Sequence, residues 1–274
     1  PTAGDMTIDS ICEAVHRRLS LLAFVAGLFV ALTSPSVGAT ELPDVIDRIR
    51  PSIVAVGTAY PPRQPNRKGP AVSYRGTGFV VGNGRQVVTN AHVLPQSLDS
   101  ENREALVVFS GRGSKAIATP VRVVRRDDEH DVALLEMTDK ELPALSLGDS
   151  NAVREGQAIA FTGFPMGMVL GLYPVTHRGI VSVIAPVARP AEDSRTINAA
   201  QMRRLRNPFN VFQLDATAYP GNSGSPVYLP GSGVVIGVIN SVHVKESRES
   251  VLQKPSGISY AIPVEHVKAL LRGD

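Results

Sequence analysis

Three short segments hold a histidine, an aspartate and a serine in contexts that could let them work together. They are Thr89-Asn90-Ala91-His92, His130-Asp131-Val132-Ala133-Leu134-Leu135 and Gly221-Asn222-Ser223-Gly224-Ser225-Pro226. Such a set turns a hydroxyl into a nucleophile: the imidazole takes the serine proton, and the carboxylate fixes the imidazole tautomer and balances its charge. Ser223 sits in a tight Gly-Asn-Ser-Gly turn whose flanking glycines let the backbone bend sharply. A turn through Gly221, Asn222 and Ser223 can aim the N–H groups of Gly221 and Ser223 at one point, where an oxyanion would be held. His92 follows a strand-like run with the small Ala91 beside it, so its ring can stand at a strand end. Asp131 opens an apolar run, so its carboxylate is expected to be half-buried and to need a partner, which the His92 Nδ1–H supplies. Taken singly, each segment also reads as ordinary structure; their joint order is what carries the signal. Asp127, Asp128, Glu129 and His130 read as an exposed charged turn, because no second ligand group stands at metal-binding spacing.

The elements that must position these residues are short. Runs of β-branched residues bounded by Gly, Pro, Asn and Asp predict strands at 53–59, 76–81, 86–89, 105–109, 119–124 and 132–137. A second set is predicted at 158–162, 175–185, 211–215, 225–228, 233–240 and 258–262. Asn83-Gly84 is a hairpin signal, since both residues tolerate positive φ. Helical spacing appears at 41–49 and at the end, where Val264, Val267, Leu270 and Leu271 share a face. The pattern is all-β in two halves, about 52–145 and 150–263, with a short C-terminal helix over 264–272. Stretches 61–74 and 188–208 carry several Pro and Arg residues with little strand signal, and read as solvated loops.

The chain has 274 residues, 43% hydrophobic, 19% charged and 5% aromatic, with a net charge of +3. Lys and Arg are scattered and no aromatic–basic stripe appears, so no nucleic-acid partner is expected. Arg17 and Arg18 precede an apolar run at 21–33, and Val37-Gly38-Ala39 forms a small-x-small site. That is the pattern of a signal peptide over 1–39 cleaved after Ala39, with 1–5 a leader remnant before Met6. A spanning helix needs about 20 apolar residues, so no stable membrane span is expected after cleavage. The expected location is periplasmic or secreted. Cleavage would remove the single cysteine, Cys12, and raise the net charge to +4. The remaining 40–274 domain would then rely on its core, without disulfides.

Between about Val45 and Leu271 the chain resembles trypsin-like serine proteases of the HtrA/Deg type. The resemblance rests on Gly76-Thr77-Gly78-Phe79, Thr89-Asn90-Ala91-His92-Val93, Asp131-Val132-Ala133-Leu134-Leu135, Thr162-Gly163-Phe164-Pro165 and Gly179-Ile180-Val181-Ser182. It continues in Asp215-Ala216, Pro220-Gly221-Asn222-Ser223-Gly224, Val235-Ile236-Gly237 and Tyr260-Ala261-Ile262-Pro263. It implies two six-stranded antiparallel β-barrels of the trypsin/chymotrypsin kind, with His92 and Asp131 from the first and Ser223 from the second. It implies a serine endopeptidase acting on polypeptides, with no cofactor and no metal, in a family whose members often form homo-oligomers. Three departures stand out. No PDZ domain is expected after Asp274. Ser225 replaces the usual second glycine, as in glutamyl endopeptidases, yet Val238-Ile239-Asn240-Ser241 lacks their glutamate-binding histidine. Asn222 stands where digestive relatives carry an aspartate that pairs with a new N-terminus, so no propeptide switch is implied. The specificity pocket is expected from Thr217, Ala218 and Tyr219 at its floor and Ile239, Asn240, Ser241 and Val242 in its walls. With no acid there, small or medium aliphatic side chains are expected before the cut. A chaperone-like peptide binder with gated or absent proteolysis, and an esterase, are the competing readings.

Overall fold

Residues Thr40–Asp274 form one compact unit. The structure, a computed structural model, describes residues 41–61, 70–165, 171–186, 208–240 and 258–273. The expected signal peptide and its cleavage site, most of the two loop stretches, and Ser241 and Val242 lie outside these residues.

After helix α1 (Leu42–Ile49) come β1 (Ile53–Ala59), β2 (Val72–Val81), β3 (Gln86–Thr89), β4 (Ala105–Ser110), β5 (Ile117–Asp127) and β6 (Val132–Met137). They close into an antiparallel barrel in the order β1-β2-β3-β6-β5-β4. Strands β7 (Ala158–Gly163), β8 (Val175–Pro186), β9 (Asn210–Asp215), β10 (Pro226–Tyr228), β11 (Val235–Asn240) and β12 (Ile258–Pro263) close a second, in the order β10-β11-β12-β9-β8-β7. Helix α2 (Val264–Arg272) follows. The loop expected over 61–74 ends early: β2 begins at Val72, pairing Val72 with Ala59 and extending the ladder with β1. Among the described residues no helix is long and apolar enough to cross a membrane.

Burial on both faces explains the unbroken apolar runs. On β6, Ala133, Leu135 and Met137 fill the first barrel with Val54, Val56, Val80 and Val108. The alternate residues Val132 and Leu134 face outward, into a layer shared with α1, α2 and the second barrel. The interior of the second barrel holds Ile159, Phe161, Val181, Phe212, Leu214, Val227, Ile236 and Ile239. A strand with two buried faces shows no polar alternation, which is why Val-Ala-Leu-Leu reads as a continuous run.

Helix α2 joins the barrels. Arg125 on β5 donates from Nη1 to the carbonyls of Leu270 (2.9 Å) and Leu271 (3.0 Å), at the negative end of the helix dipole. Beside this contact the His266 ring stacks on His130, with centroids 3.9 Å apart and planes at 20°, and Phe209 meets both rings edge-on. His130 Nδ1 lies 2.6 Å from Asp127 Oδ2. Asp127 and His130 therefore form a half-buried clasp under α2, whereas Asp128 between them stays exposed as the sequence suggested. Burial pushes the His266 imidazole down to about 4, with His130 adding to the shift against the attraction of Asp127 and Glu265. Burial works against ionisation of Asp127, but the His130 ring and the N–H groups of His130 and Glu129 outweigh it and hold the carboxyl at about 2.

A pH dependence of stability follows. The unfolded chain protonates His266 near its ordinary 6.5 and the folded chain near 4, so folding loses support as pH falls through that window. The support from Asp127 is present above 3.8 and disappears only toward pH 2, below the window. Denaturant titrations at pH 7 and pH 4.5 should differ by on the order of 2 kcal/mol, after allowance for solvent screening. His266→Gln should flatten that difference; an equal difference in the variant would refute the assignment.

Candidate active site

His92 stands in a single 3-10 turn, Ala91–Val93, after β3. Ala91 and Val93 are buried and anchor the turn, while the His92 side chain remains 31% exposed. Asp131 precedes β6 in a left-handed conformation, φ 55°. That conformation is uncommon outside glycine, although aspartate tolerates it better than most. The Asp127 clasp makes the preceding turn, with Oδ1 accepting the N–H groups of Glu129 (2.9 Å) and His130 (3.0 Å).

The Asp131 carboxylate grips residue 92 at two points. Oδ1 accepts the His92 backbone N–H at 2.9 Å, and Oδ2 lies 2.7 Å from ring Nδ1. Asn240 Nδ2 donates to the same Oδ2 at 2.8 Å, and Asn90 Nδ2 donates to the Asp131 carbonyl at 2.9 Å. A carboxylate filled by donors in this way demands a proton on His92 Nδ1. In the neutral ring that tautomer places the lone pair on Nε2, where it can accept a proton.

Ser223 lies in a loop built of two turns. Asn222 N–H bonds Tyr219 O at 2.9 Å around Pro220 and Gly221, with Gly221 at φ 99°, which is the pattern of a type II turn. Ser225 N–H then bonds Asn222 O at 2.9 Å. The loop joins β11 through Gly224 N–H to Ile239 O and Ile239 N–H to Ser225 O, both 2.9 Å. It meets the His92 turn across Gly76, where a Cβ would stand 2.7 Å from Val93 Cγ2 and 2.9 Å from Ser223 O. The Ser223 loop, the His92 turn and Asp131 are thus tied into one network at the junction of the barrels.

The expected pocket residues separate. Ile239 is fully buried in the second-barrel core and offers the site only its backbone, because its strand position faces inward. Asn240 holds Asp131, a role that spacing could not show because its partner is distant in sequence. Thr217, Ala218 and Tyr219 follow β9 in the segment leading to the Ser223 loop. Ala218 N–H there bonds Ser259 Oγ (2.8 Å), which donates to Ala216 O (2.7 Å). The sequence reading assigned no role to Ser259, or to Asn90 although it stands within the Thr89-Asn90-Ala91-His92 segment, because the partners of both are distant in sequence. Among the described residues, no cluster of three metal-ligating side chains occurs.

Fold and site together define a double-barrel protein with a hydrogen-bonded His–Asp pair beside a glycine-bounded serine. A family model described as trypsin-like peptidase domain matches residues 76–238, and the chain belongs to that family. The relatives it matches include a probable periplasmic serine endoprotease DegP-like of Halomonas elongata, 30% identical over 74% of this chain and 36% of that protein. Serine protease HTRA3 of Rattus norvegicus is 30% identical over 93% of this chain and 49% of its own length. The chain thus spans half or less of these curated relatives. The fold is also that of the HtrA-type protease AlgW with decapeptide, at TM-score 0.58 and 22% identity over 85% of this chain and 68% of that one. The active form of the Rv3671c protease from M. tuberculosis gives 0.59 at 20% identity, covering 83% and 82%.

Proposed function

We propose that this chain is a serine endopeptidase of the HtrA type, acting outside the cytoplasm. Ser223 attacks the scissile carbonyl, His92 Nε2 takes its proton and later delivers it to the leaving amine, and Asp131 orients and balances the imidazolium. The N–H groups of Gly221 and Ser223 stabilise the oxyanion, with Asn222 spanning them. The observation that carries this reading is the double grip of the Asp131 carboxylate on His92, through the backbone N–H and through ring Nδ1. Export is supported by the leader-like sequence over 1–39 and by the periplasmic relative. Thr217, Ala218 and Tyr219 form the floor of the specificity pocket and accept small or medium aliphatic side chains.

The test is a fluorophosphonate probe with mass-spectrometric mapping of the adduct, alongside hydrolysis of a peptide library. Ser223 is the expected single site of modification, and Val or Ala before the cut is expected to outperform Lys. Modification elsewhere, or an unmodified protein that still cleaves peptides, would overturn the nucleophile assignment. A faster cut after Lys would overturn the pocket.

A further inference from the structure

We propose that Thr77, on β2 of the first barrel, is the positioning residue that sets the oxyanion-binding backbone of the second. The inference rests on the reading of Gly221 and Ser223 as oxyanion donors. Thr77 is fully buried and makes four hydrogen bonds. Its Oγ1 donates to Gly221 O at 2.7 Å and accepts the Phe164 N–H at 2.9 Å. Its N–H donates to Ser223 O at 2.8 Å, and its carbonyl accepts Thr89 Oγ1 at 2.7 Å.

These bonds act on alternate peptide planes of the loop. The peptide between Gly221 and Asn222 is pinned at both ends, its carbonyl by Thr77 Oγ1 and its N–H by Tyr219 O. The peptide between Ser223 and Gly224 is likewise pinned, its carbonyl by Thr77 N–H and its N–H by Ile239 O. The two donor N–H groups belong to adjoining peptides: the one before Ser223 lies between the two pinned planes, and the one before Gly221 abuts the first of them. Fixing the flanking planes restricts the rotations that would turn those donors away. Gly221, at φ 99° and without a side chain, has little of its own to resist such rotation. Donors held in place before the reaction stabilise developing charge without reorganisation, so the Thr77 hydroxyl acts in the transition state rather than in substrate binding.

Thr77→Val keeps the shape and removes the hydroxyl, whereas Thr77→Ser keeps the hydroxyl. Removing a whole oxyanion donor typically costs about 100- to 1000-fold in kcat, and loosening two donors should cost roughly 10- to 100-fold. In T77V, kcat for a peptide substrate should fall by that factor with KM within about threefold of the parent. The Ki of a peptide aldehyde, whose hemiacetal oxygen occupies the oxyanion position, should weaken in parallel with kcat. T77S should recover kcat to within about threefold. Unchanged kcat in T77V, a loss carried by KM, an unchanged aldehyde Ki, or T77S as impaired as T77V would each overturn the proposal. Should T77V not fold, Thr77→Ala is read in the same way; failure of both to fold beside an active T77S would assign Thr77 a purely structural role and overturn it too. A parent that fluorophosphonate does not label at Ser223 overturns the site reading itself, while a labelled parent with unimpaired T77V overturns only this inference.

Discussion

Asn in place of Asp131 will lower kcat for peptide hydrolysis by roughly four orders of magnitude while the protein stays folded. The amide matches the carboxylate in shape, and its oxygen can keep the bond to the His92 backbone N–H. Its NH2 then stands where Oδ2 now faces the ring, 2.7 Å from Nδ1. A donor at that place favours the tautomer with the proton on Nε2, which cannot accept the serine proton. Asn240 Nδ2, now 2.8 Å from Oδ2, would face a second NH2 and must rotate its own amide to offer its oxygen. The side chain at 131 is only 13% exposed, so water does not easily restore the lost acceptor. The measurement is steady-state hydrolysis normalised to folded protein, with the denaturant midpoint taken in parallel. Loss of activity in proportion to loss of folded protein would mean that Asp131 serves the fold alone. A kcat within tenfold of the parent would refute the orienting role.

The sequence made the strands and the chemical residues legible for different reasons. Strands showed because β-branched runs are bounded by turn residues, and the errors fall where pairing overrides local composition. Val72 and Tyr74 join β2 because the partner strand β1 continues to Ala59. His92 and Asp131 showed because each sits in a distinctive local run. The partners that fix them are tertiary: Asn240 reaches Asp131 from a strand end 109 residues away, and Thr77 reaches Gly221 across 144. No local pattern encodes such distances. The 127–130 turn misled for a related reason. Four polar residues in succession suggest solvent, which Asp128 does meet, and only the arrival of α2 with His266, and of Phe209, covers His130.

The second large effect concerns the residue after Ser223, the proposed nucleophile. Gly224→Ala will destabilise the protein by about 3–5 kcal/mol and remove most activity from whatever folds. Gly224 adopts φ 89°, where an L side chain is strained. A Cβ built there would stand 2.0 Å from Thr77 O and 2.6 Å from Thr89 Oγ1. The first is a backbone atom within the β2 ladder and cannot swing aside as a flexible side chain could. Relief must come from separating the loop from β2, which breaks the Thr77 N–H to Ser223 O bond or the Gly224 N–H to Ile239 O bond. Either break releases a peptide plane beside the oxyanion donors, so stability and catalysis fail together. Gly231→Ala is the control, since nothing lies within 4 Å of the added carbon there. Urea midpoints and kcat of both variants decide the matter: a G224A protein as stable as G231A would show that the nucleophile loop is not clamped against β2.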